Sequence, residues 1–129
     1  MELINKLKKE FSFLNKENIL GILLYGSKAN GLDNERSDTD ICIVAPDIKS
    51  KDILKIITQS LDIYGKKYDV YTFEELPMYL KIEIINNHKL IFSSDKFKLY
   101  EYFYFFRKLW QDQEHRQKIT KKQLLNTLV

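Results

Sequence analysis

Leu3, Ile4, Leu7, Phe11 and Leu14 fall three and four apart with Lys and Glu between them, the spacing of an amphipathic helix over residues 2–15. Asn15-Lys16-Glu17-Asn18 ends it. Ile19 to Tyr25 is a continuous apolar run, too short for a buried helix and stopped by Gly26, and predicts a central strand. Residues 26–36 are polar, contain Gly26 and Gly31, and predict a loop. Asp38-Thr39-Asp40-Ile41-Cys42-Ile43-Val44-Ala45 turns β-branched and closes on Pro46, a second strand. Ser50 is placed to cap a helix whose buried stripe is Ile53, Leu54, Ile56, Ile57 and Leu61, with Gly65 suited to its C-terminus. Tyr68 to Phe73 predicts a third strand. Glu74-Glu75-Leu76-Pro77 opens a helix running to about Asn87, because acids and proline are favoured in a first turn. Lys89-Leu90-Ile91-Phe92 is a short strand at the sheet edge.

The C-terminal third reads as helix, with Leu99, Phe103, Phe106 and Trp110 on one stripe and Tyr102, Phe105 and Leu109 on a second beside it. Ile119, Leu124, Leu125 and Leu128 form a sparser apolar set at the end. The αβαβαβ order, without repeats, predicts one α+β domain: a small mixed sheet flanked by helices, with an extra C-terminal helix. Residues 1–94 form its core and residues 95–129 a helical extension of the same domain.

Composition narrows this picture only a little. With 44% hydrophobic and 30% charged residues in 129, the chain can fill one core and is neither disordered nor fibrous. No run approaches the ~20 apolar residues of a membrane span, so no membrane partner is expected. With Cys42 as the single cysteine, a core residue of the second strand, the expected location is cytoplasmic. The formal charge of +3 is uneven: residues 95–129 hold eight Lys/Arg against four Asp/Glu, and residues 1–94 hold thirteen against fourteen. That tail fits a solvated basic helix face or an acidic partner about equally well. Its aromatics read as core cover rather than a base-stacking platform, so nucleic acid is not expected as a direct partner. His88 and His115 lack metal-ligand spacing and read as surface or helix-end residues.

The chemistry concentrates in Gly26-Ser27, a ten-residue gap, and Asp38-Thr39-Asp40. Strand residues two apart share a face, so Asp38 and Asp40 would set two carboxylates side by side, and a divalent cation would remove their repulsion. Asp69, in another apolar strand, completes a cluster if the strands are neighbours. Three carboxylates from two strands suit a two-metal site for in-line transfer at phosphorus. Gly26 lets the backbone approach a ligand closely, so that amides and the Ser27 hydroxyl can hold phosphate oxygens, with Lys28 and Arg36 adding positive charge. The ligand these features predict is a nucleoside triphosphate with magnesium. An Asp-x-Asp alone is common at strand starts, as is a serine capping a turn; the weight lies in the three features falling in register.

Gly26-Ser27 with Asp38-Thr39-Asp40 resembles the signature of the minimal nucleotidyltransferases, small members of the DNA polymerase beta superfamily. The resemblance covers residues 19–94: Tyr68-Asp69-Val70 matches the third carboxylate, Gly31 a loop glycine, and Lys28 stands where arginine is frequent. It implies that Asp38, Asp40 and Asp69 are catalytic and metal-holding, for two Mg2+ ions, with Gly26, Ser27, Lys28 and Ser37 binding ATP as substrate. Asp69 would complete the metal site nearest the nucleophile and help to deprotonate it. It further implies AMP transfer to a tyrosine of a HEPN-domain ribonuclease toxin, an antitoxin function, with the C-terminal helix as a surface for an oligomer or hetero-complex. The rivals are transfer to a small hydroxylated molecule such as an aminoglycoside, and a non-catalytic module that neutralises its partner by covering it.

Overall fold

The computed structural model describes residues 2–26, 39–60 and 68–128. The expected positions Ser27, Lys28, Ser37 and Asp38, with Leu61 and Gly65, lie outside these residues. Helix α1 spans Glu2–Glu10 and a 3-10 turn spans Ser12–Lys16. Strands β1 (Gly21–Tyr25) and β2 (Thr39–Val44) follow, then helix α2 (Ser50–Ser60) and strand β3 (Tyr68–Thr72). A 3-10 turn at Phe73–Glu75 leads to helix α3 (Met78–Asn87), strand β4 (Lys89–Phe92) and helix α4 (Lys96–Leu128).

The sheet order is β3-β2-β1-β4. β1 runs antiparallel to both β2 and β4, while β2 and β3 are parallel, with α2 in the crossover between them. The apolar run of β1 is therefore interior, and β4 is an edge strand as the pattern predicts. Alternation along the strands divides the core between two faces. Ile22, Leu24, Ile41 and Ile43 meet Leu7, Phe11, Leu14, Ile53 and Ile57 from α1, the first 3-10 turn and α2. Leu23, Cys42 and Val44 meet Phe73, Ile84, Ile85, Leu99 and Phe103 on the α3 and α4 side. Cys42 is buried, as expected of a core residue.

Element boundaries depart from the periodicity in four places. The first helix is not continuous to residue 15: after Phe11 the backbone bonds run from Leu14 N to Phe11 O and from Glu17 N to Leu14 O. This tighter winding eclipses residues three apart and turns Phe11 and Leu14 together into the core. β1 begins at Gly21, although the Leu20 N–H still donates to Val44 O at 2.8 Å. Ser50 is the first helical residue of α2 and not its cap; the first carbonyl to accept is that of Lys49, from the Asp52 and Ile53 N–H groups. The helix expected from Glu74 is broken because the residue before a proline is pushed out of the α region, and Leu76 is extended with ψ 147°. Pro77 becomes the N-cap of α3 instead of a first-turn residue.

Candidate active site

The strand directions bring the candidate residues together. The C-terminal end of β1 and the N-terminal ends of β2 and β3 lie at one end of the sheet, because β1 is antiparallel to β2 and β2 is parallel to β3. Tyr25 pairs with Asp40, and Asp40 pairs with Asp69, so one row across three strands reads Tyr25, Asp40, Asp69. Paired positions share a face, and Asp40 alternates with Cys42 and Val44, so this row projects on the face that α3 and α4 cover further along. Asp40 and Asp69 are each only partly buried.

Gly26 closes the row. Its φ of +82° lies in the left-handed region where side chains are strained. A Cβ at this position would overlap Oδ2 of Asp40 and lie 3.3 Å from its Cγ. The sequence reading has the Gly26 backbone come close to a ligand; what it lies against here is the side chain of Asp40.

Two tyrosines that the motif does not contain belong to the same corner. Tyr71 pairs with Cys42 one row along, and its ring meets that of Tyr25 at 5.9 Å in an edge contact. Burial pushes the Tyr25 phenol pKa well above its ordinary value, with Tyr71, Asp40, Cys42 and Asp69 adding to the rise. Tyr25 is therefore a neutral hydroxyl at any working pH, an uncharged wall beside two carboxylates. Strand alternation was the signal available in the sequence: Tyr25 and Tyr71 stand on the same face as the acids.

Glu74, read from sequence as a helix-start acid, instead ties three elements together. It accepts from the Ala45 N–H at 3.1 Å and from the Tyr102 hydroxyl at 3.2 Å. Burial raises its pKa, against the lowering effect of these bonds and of Lys81. Burial also pushes the Tyr102 phenol and the Cys42 thiol up, each with Glu74 adding to it. His88 ends α3, its Nδ1 within 2.9 Å of Ile84 O, in keeping with a helix-end role.

Asp40 and Asp69 offer hard carboxylate oxygens on one face at neighbouring register positions, the donor chemistry that magnesium prefers. Among the described residues no third His, Cys, Asp or Glu joins them in a metal-holding group. The third carboxylate expected from the sequence is Asp38, next before Thr39 at the start of β2. Among the described residues, no helix is long and apolar enough to cross a membrane.

Comparison with known proteins gives the family and the fold. Over 98 residues, the chain is 50% identical to Putative protein adenylyltransferase MJ1547 of Methanocaldococcus jannaschii, an alignment covering 76% of this chain and 75% of that protein. A chain in the crystal structure of a toxin-antitoxin with AMP-PNP superposes with a TM-score of 0.65 at 19% identity, covering 89% of this chain and 96% of its own. Another, from the tri-AMPylated Shewanella oneidensis HEPN toxin in complex with MNT antitoxin, gives a TM-score of 0.63 at 17% identity over 92% and 93% of the two chains. These two likenesses establish the fold: a mixed four-stranded sheet with helices, of the nucleotidyltransferase type. The profile described as "Polymerase beta, Nucleotidyltransferase" matches residues 5–97, and with the Gly26 turn set against the Asp40–Asp69 row it places this chain among the polymerase beta nucleotidyltransferases, as an enzyme of that family.

Proposed function

We propose that the chain transfers AMP from ATP to a tyrosine hydroxyl of a HEPN-type toxin and acts as its antitoxin. The observation that carries this reading is the Asp40–Asp69 pair beside the positive-φ turn at Gly26. A relative at half identity is named as a protein adenylyltransferase, and structural neighbours of the same fold come from toxin-antitoxin complexes. The reading includes a cytoplasmic location and a nucleotidyltransferase core in residues 1–94, with residues 95–129 as its helical extension.

Asp40 and Asp69, with Asp38, would hold magnesium. When bound, magnesium supplies charge neutralisation of the polyphosphate and favours a deprotonated attacking oxygen. Gly26, Ser27, Lys28 and Ser37 bind the triphosphate, the glycine by letting the backbone come close and the others by hydroxyl and ammonium groups. The acceptor tyrosine has an ordinary pKa of ~10 and is a weak nucleophile at neutral pH. In this reading a carboxylate oxygen of Asp69 takes its proton. The phenolic oxygen then bonds to the α-phosphorus while the bond from that phosphorus to the bridging oxygen breaks, and pyrophosphate leaves with the electron pair. Tyr25, neutral and partly buried, adds no competing charge.

The test is incubation with ATP labelled in the α-phosphate, magnesium and a co-expressed HEPN partner, read by mass spectrometry of the partner. One AMP or more on tyrosine, lost in Asp40→Asn and Asp69→Asn, supports the reading. An unmodified partner that is nonetheless inhibited would establish neutralisation by covering instead.

A further inference from the structure

Among the described residues β3 is paired on one side only, with β2, and stands at the edge of the sheet. The other side of such a strand offers backbone N–H and C=O groups to an extended peptide. A groove of about 480 Å³ follows this edge, lined by the successive residues Val70, Tyr71 and Thr72. Its remaining apolar lining comes from both faces of the sheet: Leu54 of α2, on the face where Val70 packs, and Leu76, on the face of Asp69 and Tyr71. Leu54 is 40% and Tyr71 37% exposed. The groove therefore runs round the edge of the sheet and not over either face. Lys51 and Glu75 lend it one charge of each sign, so it selects its occupant by apolar side chains and not by net charge.

The strand that floors this groove also carries Asp69, one residue before Val70. From the Gly26 turn the row across the sheet runs to Asp40 and then to Asp69, which is outermost. On the function proposed above, on which this inference rests, the triphosphate lies at the Gly26 end of the row. Displacement in line sets the incoming oxygen opposite the leaving pyrophosphate. The acceptor oxygen then reaches the α-phosphorus from beyond Asp69, across the edge of β3.

We propose that the acceptor protein docks by laying an extended segment along β3 as a fifth strand, with its tyrosine at the position paired with Asp69. Paired positions share a face at roughly 5 Å between Cα atoms, so the phenol prolongs the row of Asp40 and Asp69. Alternation fixes the neighbours of that tyrosine. The residue paired with Val70 turns to the Leu54 side, and the residue paired with Tyr71 turns to the Leu76 side. The segment accordingly carries apolar residues one and two positions from its tyrosine, on one side of it. The transfer is unchanged: the phenolic oxygen bonds to the α-phosphorus, pyrophosphate leaves with the electron pair of the broken bond, and the phenolic proton passes to a carboxylate oxygen of Asp69.

The test uses the full chain with magnesium, ATP labelled in the α-phosphate and the co-expressed HEPN partner. Leu54→Glu sets a charge in the groove, on α2 and away from the Asp40–Asp69 row. It is expected to raise the KM for the partner by about tenfold while the KM for ATP keeps its wild-type value. Leu54→Met keeps both. In the wild type, amide hydrogen exchange over residues 68–76 slows when the partner is added without ATP. A wild type that transfers no AMP overturns this docking together with the proposed function. Transfer in which the partner KM of Leu54→Glu is unchanged, or rises together with that for ATP, overturns the docking and leaves the proposed function standing. Exchange at β3 that the partner does not slow has the same consequence.

Discussion

The backbone of Gly26 lies against the carboxylate of Asp40, with φ +82° at the glycine and no room for a Cβ before Asp40 Oδ2. Two separate strains follow for Gly26→Ala, the overlap and the positive φ. Together they are expected to cost about 1–3 kcal/mol in urea unfolding. Asp40→Ala in the same chain removes only the overlap, so the double variant should recover part of the loss and leave about 1 kcal/mol from the backbone. Purely additive effects would show that the two residues do not touch.

Asp40 and Asp69 face one another across β2 and β3. Like charges at directly paired positions destabilise a sheet, by about 0.2–1 kcal/mol on the scale of cross-strand pairs. Without magnesium, Asp69→Asn is therefore expected to raise the unfolding free energy slightly. On the proposed reading, in which Asp69 helps to hold magnesium, the order inverts with the metal, because the wild type would gain stability by binding and the variant would not. Thermal unfolding with and without magnesium, for both proteins, checks the crossing. An equal shift in the two would remove Asp69 from the proposed metal site.

Convergence at this corner is legible in the sequence because its causes are local. Alternation puts Asp40 on a definite face, and the helical stripe at Ile53 and Ile57 between β2 and β3 makes those strands parallel. Tyr25 and Tyr71 obey the same alternation but carry no charge pattern that marks them out. Glu74 is harder: its partners are the Ala45 amide and the Tyr102 hydroxyl, both 28 or 29 residues away, and no local pattern relates positions so distant. The break at Leu76-Pro77 follows from the conformational restriction before proline, which outweighs the acids' preference for a first turn. The tail shows the opposite limit. Stripes on α4 announce a helix, yet nothing in their spacing says that burial stops near Trp110.

Glu74 makes stability depend on pH in a definite sense. Burial raises its folded pKa above the ordinary 4.5, so the folded state favours the protonated acid. That contribution is complete below the unfolded pKa, where both states hold the proton. It is lost as pH rises through the folded value, where the native protein must ionise a partly buried group. Glu74→Gln keeps an acceptor oxygen and cannot ionise. The difference in unfolding free energy between wild type and variant, measured by urea from acidic to neutral pH, should move in favour of the variant as pH rises. A difference that is flat, or that moves the other way, would mean that the bonds from Ala45 and Tyr102 outweigh burial.

Phe73 fixes α4 to the sheet. It is fully buried, immediately follows β3, and its ring centroid lies 5.9, 5.6 and 5.4 Å from those of Tyr102, Phe103 and Phe106. The Lys81 ammonium stands 5.8 Å from the same ring and 5.1 Å from that of Phe106, so α3 is held at the same point. Truncation to alanine empties a site bounded by three other rings, which cannot all close in, and is expected to cost about 3–5 kcal/mol. Phe73→Leu keeps most of the volume and should cost about 1–1.5 kcal/mol. Because Phe73 is four residues from Asp69 along one chain, the alanine variant should also lose catalytic rate beyond its unfolded fraction, whereas the leucine variant should not. Urea unfolding and label transfer on the same samples separate the two effects; equal specific activity of the folded fractions would show that the strand end holds its place without this ring.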